Sequence, residues 1–439
     1  VMGDSHGTVL HFFERDCSTQ RRHQKVLEEA PAPTITDAQR ETVTSSAVNL
    51  AREVGYTNAG TVEFLLDSDS GEVYFLEMNT RLQVEHPVTE EVVRVRGERI
   101  DLVELQLRIA DGAELGFGQE DVTIEGHAIE ARVYAEDSFG GFLPQAGRAD
   151  LVRWASSARV DHALESGQVV STSFDPMLGK VIAWGGDREA ARANLVVALD
   201  NSAVLGLTTN LGFVRALAAS DEFRDTTIDT AWLDSAEVPA PSVDVPLQLA
   251  AWVDAALTSP RFAADASGPF APDGWRSAGP KAPTLVALEH GSDVHELTVD
   301  VANQTIDGTR VRERRLADHV AVLTIDGRDE TAVVNAQAHS VEVSWHGQRF
   351  VFERPDAFGD HGPAVGDGTL VAPMPGTVLD VLVTVGQEVA EGETLGAMEA
   401  MKMELALKAP FAGTVTEVNV AAGQQVALGA TLIVVEAAA

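Results

Sequence analysis

The residues best suited to chemistry stand in three clusters. The first is the segment Ala-Met-Glu-Ala-Met-Lys-Met-Glu-Leu at 397–405, which sets Lys402, one of five lysines in the chain, between Met401 and Met403. It joins two copies of one pattern. Ala-Pro-Met-Pro-Gly-Thr-Val begins at Ala372 and Ala-Pro-Phe-Ala-Gly-Thr-Val at Ala409, an offset of 37 that also pairs Gly386 with Gly423, Gly392 with Gly429 and Glu399 with Glu436. Two like halves joined at a lysine imply a two-fold pseudo-symmetric β module with that lysine presented at a turn, as in a swinging-arm carrier. Methionines often fill gaps in cores. A junction between repeats has little core to fill, so Met398, Met401 and Met403 are read as part of the lysine's setting.

The second cluster lies on an expected hairpin, with runs Thr61–Asp67 and Glu72–Met78 separated by Ser-Asp-Ser-Gly. Mirror pairing about residue 70 sets Leu65 opposite Phe75 and Glu63 opposite Glu77. Like charges directly opposite are destabilising, so this register calls for a cation between them. Period-two alternation beyond Glu77 puts Glu77, Asn79, Arg81, Gln83 and Glu85 on one face. Such a row is either a solvated edge or the wall of an active site. Met78, Leu82 and Val84 on the other face, and the mixed charges, favour the wall. Carboxylates with an amide oxygen suit Mg²⁺, and Arg81 can hold a small planar oxyanion at two points.

The third cluster is basic: Arg21, Arg22, His23 and Lys25 within Glu14–Lys25 form an anion site or a solvated helix start. Arg159, in Ala-Arg-Val-Asp-His, is by itself most simply a surface charge.

Around these residues the chain divides by pattern. Residues 1–235 read as α+β, with helices over Ala38–Val54 (signalled by Thr36-Asp37), Ile100–Ala110 and Arg188–Leu199. Pro239, Pro241 and Pro246 break regular structure over Ala236–Pro246. Leu247–Leu257 is a short helix packing through Trp252. Residues 284–352 form a small antiparallel barrel or sheet with turns at His290-Gly291-Ser292-Asp293, Asp307-Gly308, Asp326-Gly327 and His346-Gly347. Asp356–Thr369 is a flexible linker.

Sixty-seven acidic residues against 32 basic ones give a net charge of −35. That excludes a nonspecific nucleic-acid or anionic-membrane surface, which needs dense positive charge. One cysteine, Cys17, excludes an intrachain disulfide and fits a reducing cytoplasm. No run of about 18 apolar residues is present to span a membrane. The polar opening Val1–Gly7 lacks the apolar stretch of a signal peptide. It reads as a strand and turn cut open mid-domain, so the chain is expected to be a fragment.

Taken together, these residues resemble the α subunit of a biotin-dependent acyl-CoA carboxylase. Glu-Ala-Met-Lys-Met around Lys402 resembles a biotinyl carrier; lipoyl domains share the fold but carry Asp-Lys-Ala at the turn. Residues 14–25 and 77–90, Gly126–Arg132 and the Asp-Pro-Met-Leu-Gly-Lys segment resemble biotin carboxylase, an ATP-grasp enzyme. The resemblance implies an α+β ATP-grasp part and carboxylase C-terminal domain, a small antiparallel β domain, and a pseudo-two-fold all-β biotinyl/lipoyl-type barrel. The implied domains are 1–110 (C-terminal part of ATP-grasp), 111–235 (carboxylase C-terminal), 247–355 (subunit-docking, BT-like), 356–369 (linker) and 370–437 (carrier).

It implies further that Glu63, Glu77 and Asn79 hold Mg²⁺ or Mn²⁺ on ATP and that His23 contacts the nucleotide. Lys25, Arg81 and the backbone of Val84 would position bicarbonate, Glu85 would deprotonate it, and Arg159 would stabilise the biotin enolate. The reaction would pass through carboxyphosphate to N-carboxybiotin on Lys402. A carboxyltransferase β subunit would then carry the carboxyl group to an acyl-CoA, with a short or branched chain favoured by the BT-like domain. A biotin protein ligase and a hetero-oligomer are implied with it. The family's upstream lid and ATP-gripping residues are not found in 1–439, so this polypeptide is expected not to carboxylate biotin alone. The alternative is a carrier and docking fragment without catalysis.

Overall fold

The computed structural model describes residues 1–257, 282–355, 368–373, 375–400 and 403–437, with the side chains of residues 400, 403 and 437 excepted. Met401, Lys402, Met374 and the 356–367 part of the expected linker lie outside the described residues.

Local chemistry explains the helices. Helix Asp37–Glu53 starts at Thr36, whose side chain accepts from the Gln39 N–H while Gln39 reaches back to the Thr36 N–H, a reciprocal capping box. Helix Leu102–Ala110 is capped by Asp101 and helix Arg188–Asp200 by Asp187. The described 1–235 region contains a four-stranded antiparallel sheet, in the order Arg159–His162, Met177–Gly185, His127–Tyr134, Leu27–Ala30. Helix Arg188–Asp200 packs on the Met177–Gly185 strand. It comes so close that a Cβ on Gly185 would lie 2.3 Å from the Ala191 nitrogen. Leu195, Leu199, Val181 and Ile129 close the core there.

The hairpin is Thr61–Leu66 against Val73–Asn79. Glu63 does oppose Glu77, but a bulge after Glu63 moves the register, so Phe64 rather than Leu65 faces Phe75. Mirror counting cannot anticipate the extra residue that a bulge inserts.

Helix Asp244–Leu257 begins three residues earlier than expected and takes in Pro246. A proline is tolerated in a first turn, where its missing N–H would have no intrahelical partner. The helix buries Trp252, whose indole N–H reaches Glu313 at 2.9 Å. It packs on a closed eight-stranded antiparallel barrel running from Thr284–His290 to Gln348–Glu353. Asp307-Gly308, Asp326-Gly327 and His346-Gly347 have positive φ at both positions, the geometry of a type I′ hairpin turn. Asp318-His319 makes the same kind of turn without a glycine.

Residues 368–437 repeat themselves in three dimensions. Strands Gly376–Val381 and Gly413–Val418, Glu388–Val389 and Gln425–Val426, Thr394–Ala400 and Thr431–Ala437 are each offset by the sequence period. Each half lends a strand to the other's sheet: Glu388–Val389 pairs with Gly413–Val418, and Gln425–Val426 with Gly376–Val381. Hydrogen bonds recur at the same offset, as in Gly386 N–H to Val415 C=O and Gly423 N–H to Val378 C=O, both 2.7 Å. Ala400 pairs with Met403, so paired strands flank Lys402. One expectation fails here: Met398 is fully buried in this domain's core. It is a packing residue and not part of the lysine's setting.

Candidate functional site

The row from Glu77 to Glu85 is not one strand. The strand ends at Asn79, the chain turns, and Glu85 caps helix His86–Val92 without bonding its backbone. Arg81 is therefore exposed while Gln83 and Glu85 are buried. Pro87 in the helix's first turn fixes this entry, and the Glu85 carboxylate turns inward.

There it meets two cations from different elements. Lys25 Nζ lies 2.7 Å from Glu85 Oε1, and Arg132 Nη2 lies 2.9 Å from Oε2. Burial by itself would raise the Glu85 pKa. The charges of Arg15, Lys25 and Arg132 outweigh it and take the pKa down to about 2. Burial likewise opposes the Lys25 ammonium, but the negative groups around it, Glu85 and Glu63 among them, leave its pKa raised. The half-buried Cys17 thiol, its pKa raised by burial, donates weakly to Glu85 Oε1 at 3.8 Å.

Lys25 also joins Glu85 to the hairpin, 3.4 Å from Glu63 Oε1. Gln83 Nε2 donates to the same oxygen at 2.6 Å, and Asn79 Nδ2 donates to Glu63 and Glu77 at 3.0 and 3.2 Å. The facing carboxylates are thus held by two amides, Asn79 on both and Gln83 on Glu63, and Glu63 also by one ammonium. Two carboxylates and an amide fit a hard divalent cation that takes its remaining ligands from phosphate and water. Among the described residues no three His, Cys, Asp or Glu side chains gather into a complete metal site.

Arg159 is not a lone surface charge. Its Nη1 is 2.7 Å from Glu90, and its Nε and Nη2 grip Asp161 at 2.9 and 3.0 Å. Burial would lower its pKa, but these carboxylates raise it. Asp161 lies 3.5 Å from Lys180 Nζ, which donates to the Val84 carbonyl at 2.8 Å. Arg159, Val84, Glu85, Lys25, Glu63, Asn79 and Glu77 therefore lie in one chain-connected polar network. His23 and Arg81 stand apart from it. His23 is exposed at the tip of the Gln20–Lys25 hairpin with φ 66°, and among the described residues Arg81 bonds only the Leu82 carbonyl.

Sequence reasoning gave no role to Arg15, Arg132 or Lys180. Arg15 donates to Gln83 (2.6 Å), Thr89 (3.0 Å) and Thr61 (3.2 Å), tying helix, turn and hairpin together. Arg132 and Lys180 are register partners on neighbouring strands. Both fall inside segments singled out by resemblance, which was the available signal. Among the described residues no helix is long and apolar enough to cross a membrane.

Four family models match in order along the chain. Residues 1–117 match the carbamoyl-phosphate synthase L chain ATP binding domain, and 130–235 the biotin carboxylase C-terminal domain. Residues 243–357 match the BT domain of the methylcrotonyl-CoA carboxylase alpha-subunit, and 368–435 the biotin-requiring enzyme family. The mitochondrial methylcrotonoyl-CoA carboxylase subunit alpha of Arabidopsis thaliana is 35% identical over 93% of this chain, and that of Rattus norvegicus 33% over 93%. The chain spans 62% and 60% of the length of these two relatives. The biotin carboxylase domain of Hydrogenobacter thermophilus 2-oxoglutarate carboxylase, solved with MgADP, ADP and bicarbonate, superposes with a TM-score of 0.50 at 40% identity. That match covers 53% of this chain and 51% of that one. A complete pyruvate carboxylase from Rhizobium etli gives 0.54 at 37% identity, over 65% of this chain and 28% of that one. With these four domains in this order, the chain belongs to the family of biotin-dependent acyl-CoA carboxylase α subunits.

Proposed function

We propose that this chain takes part in the ATP- and bicarbonate-dependent carboxylation of biotin carried on Lys402. The observation that carries the reading is the Glu85 carboxylate, fixed by Lys25 and Arg132 beside the facing Glu63 and Glu77. In this reading Glu85 accepts the proton of bicarbonate, freeing an oxygen to attack the γ-phosphorus of ATP while the bond to ADP breaks. Held ionised, Glu85 is always ready to accept, and an anion arriving at Lys25 reduces the pull that keeps its pKa low. Lys25, Arg81 and the backbone of Val84 position bicarbonate, and His23 contacts the nucleotide.

Glu63, Glu77 and Asn79 would hold Mg²⁺ or Mn²⁺, which would supply positive charge to the transferring phosphoryl group. Biotin would supply a ureido nitrogen able to accept the carboxyl group from carboxyphosphate, its N–H proton leaving with the inorganic phosphate released. Arg159 places a preorganised cation where negative charge develops, once a substrate draws it from Glu90 and Asp161. A carboxyltransferase subunit then passes the carboxyl group to an acyl-CoA, and the match of 243–357 to a BT domain supports a short branched acyl group. A biotin protein ligase loads Lys402. The single Cys17 suits a reducing compartment such as the cytoplasm.

Intact mass after co-expression with a biotin ligase tests the carrier half of this reading. One biotinyl group is expected on the wild type and none on Lys402→Arg. A mass gain that persists in the variant overturns the assignment.

A further inference from the structure

Among the described residues, the side chain least accounted for by the network is Glu130. It is 0% exposed, and neither of its carboxyl oxygens has a hydrogen-bond partner among them. Its register partner on the next strand is Glu28, 1% exposed, whose Oε2 likewise has no partner among the described residues. Directly opposite residues carry Cβ atoms about 4.5–5.5 Å apart on one face of a sheet, so the two carboxyls are within reach of each other. On its other side Glu130 faces Ile182.

Every nearby cation is committed elsewhere. Arg132, two residues along the same strand, donates to Glu28 Oε1 (2.6 Å from Nε) and to Glu85. Lys180 serves Val84 and Asp161, and Lys25 serves Glu85 and Glu63. Helix His86–Val92 packs against this strand, but His86 bonds the Gln83 carbonyl and Glu90 holds Arg159 and the Leu102 N–H. The helices Arg188–Asp200 and Leu211–Ala219 also pack here, with Arg188 on Glu29, Arg192 on Glu189 and Arg215 on Asp200.

We infer that Glu28 and Glu130 share one proton, carried by Glu130, and that neutral Glu130 is a positioning residue for Arg132 and through it for Glu85. Two buried carboxylates facing each other cannot both ionise cheaply. Glu28 has Arg132, so Glu130 takes the proton. Burial, then the charge of Glu28, hold the Glu130 pKa well above the ordinary carboxylate range. If Glu130 ionised, a third carboxylate would compete for Arg132 and loosen its hold on Glu85. The consequence for catalysis rests on the proposed role of Glu85; the protonation itself does not.

The test uses the full-length polypeptide, wild type against Glu130→Gln, Glu130→Ala and Glu28→Gln. Infrared spectroscopy should show the C=O stretch of a buried carboxylic acid in the wild type and its loss in Glu130→Gln. In Glu28→Gln the opposing charge is gone and Arg132 is freed, so Glu130 should ionise and the band should fade there too. A proton bound in the native state but not in the unfolded one costs stability as pH rises. The Tm of Glu130→Gln should therefore gain on the wild type as pH rises above the ordinary carboxylate range. In bicarbonate-dependent ATP turnover, Glu130→Ala should be about tenfold slower. Wild-type turnover should fall at high pH as Glu130 ionises; Glu130→Gln, which keeps a neutral donor, should recover most of the Ala variant's loss and not show that fall. Absence of the acid band, with parallel Tm profiles, overturns the shared proton. If the band is present but the turnover profiles of Glu130→Gln and wild type coincide, the positioning role fails while the proton stays. If no variant or wild type turns over ATP, the reading of Glu85 fails and the infrared result still decides the proton.

Discussion

Lys25 Nζ and Glu85 Oε1, brought 2.7 Å apart from segments 60 residues distant in sequence, form the ion pair on which the candidate site turns. Glu85 is 2% exposed and Lys25 about one-fifth exposed. Removing one partner leaves the other buried, and breaking such a pair is far more costly than an exposed one.

The first prediction follows from the sign of the Glu85 shift. Its folded pKa, about 2, lies below the ordinary 4.5. Its stabilisation is therefore complete above pH 4.5 and lost as pH falls from there towards about 2. A shift of that size corresponds to roughly 3 kcal/mol. Urea unfolding across this acid range should show Glu85→Gln with a shallower loss of stability than wild type. A parallel loss would place the Glu85 pKa near its ordinary value.

Glu136 is the opposite case. Burial, only partly offset by Ser138 and Arg21, raises its pKa from 4.5 to about 7. The native state then holds a proton that the unfolded state has released, so stability falls as pH rises from 4.5 through about 7. Glu136→Gln should be more stable than wild type by about 1–3 kcal/mol above that window and show no gain below it. Thermal melts at both ends of the window check this.

At the hairpin, Glu63→Gln removes one of two facing carboxylates. The variant should fold normally, because the like-charge pair is relieved, but bind Mn²⁺ with ATP about tenfold more weakly or worse. Calorimetric titration reads the affinity, and unchanged binding would remove Glu63 from the metal site.

Trp252 tests whether the barrel's core depends on the helix laid against it. The side chain is 1% exposed, and Trp252→Ala should cost about 3–5 kcal/mol in the barrel. Hydrogen exchange should then show lost protection over Thr284–Glu353 and retained protection over the His127–Gly185 sheet.

Much of this was legible from sequence because it is local or periodic. The 37-residue offset recovers the two like halves of the carrier strand for strand, but not the exchange of strands between them. Asp-Gly and His-Gly turns marked the barrel hairpins because few residues tolerate positive φ. The site was only half legible. Alternation carried Glu77 and Asn79 correctly but ran on through the turn at residues 80–83, where period two no longer applies. Arg15, Arg132 and Lys180 reach Gln83, Glu85 and Val84 from distant segments, and no local pattern encodes those meetings. Met398 misled for a related reason: a residue near the candidate lysine in sequence can still point into the core.

The proposed role of Glu85, as the base when the full-length protein carboxylates biotin on Lys402, is open to a direct test. The most direct measurement gives the full-length, biotinylated polypeptide radiolabelled bicarbonate, ATP and Mg²⁺, and follows acid-labile label on the peptide containing Lys402. ATP-dependent label is expected there, about a hundredfold slower in Glu85→Gln and absent in Lys402→Arg. Label that forms without ATP, or that persists in Lys402→Arg, would contradict it.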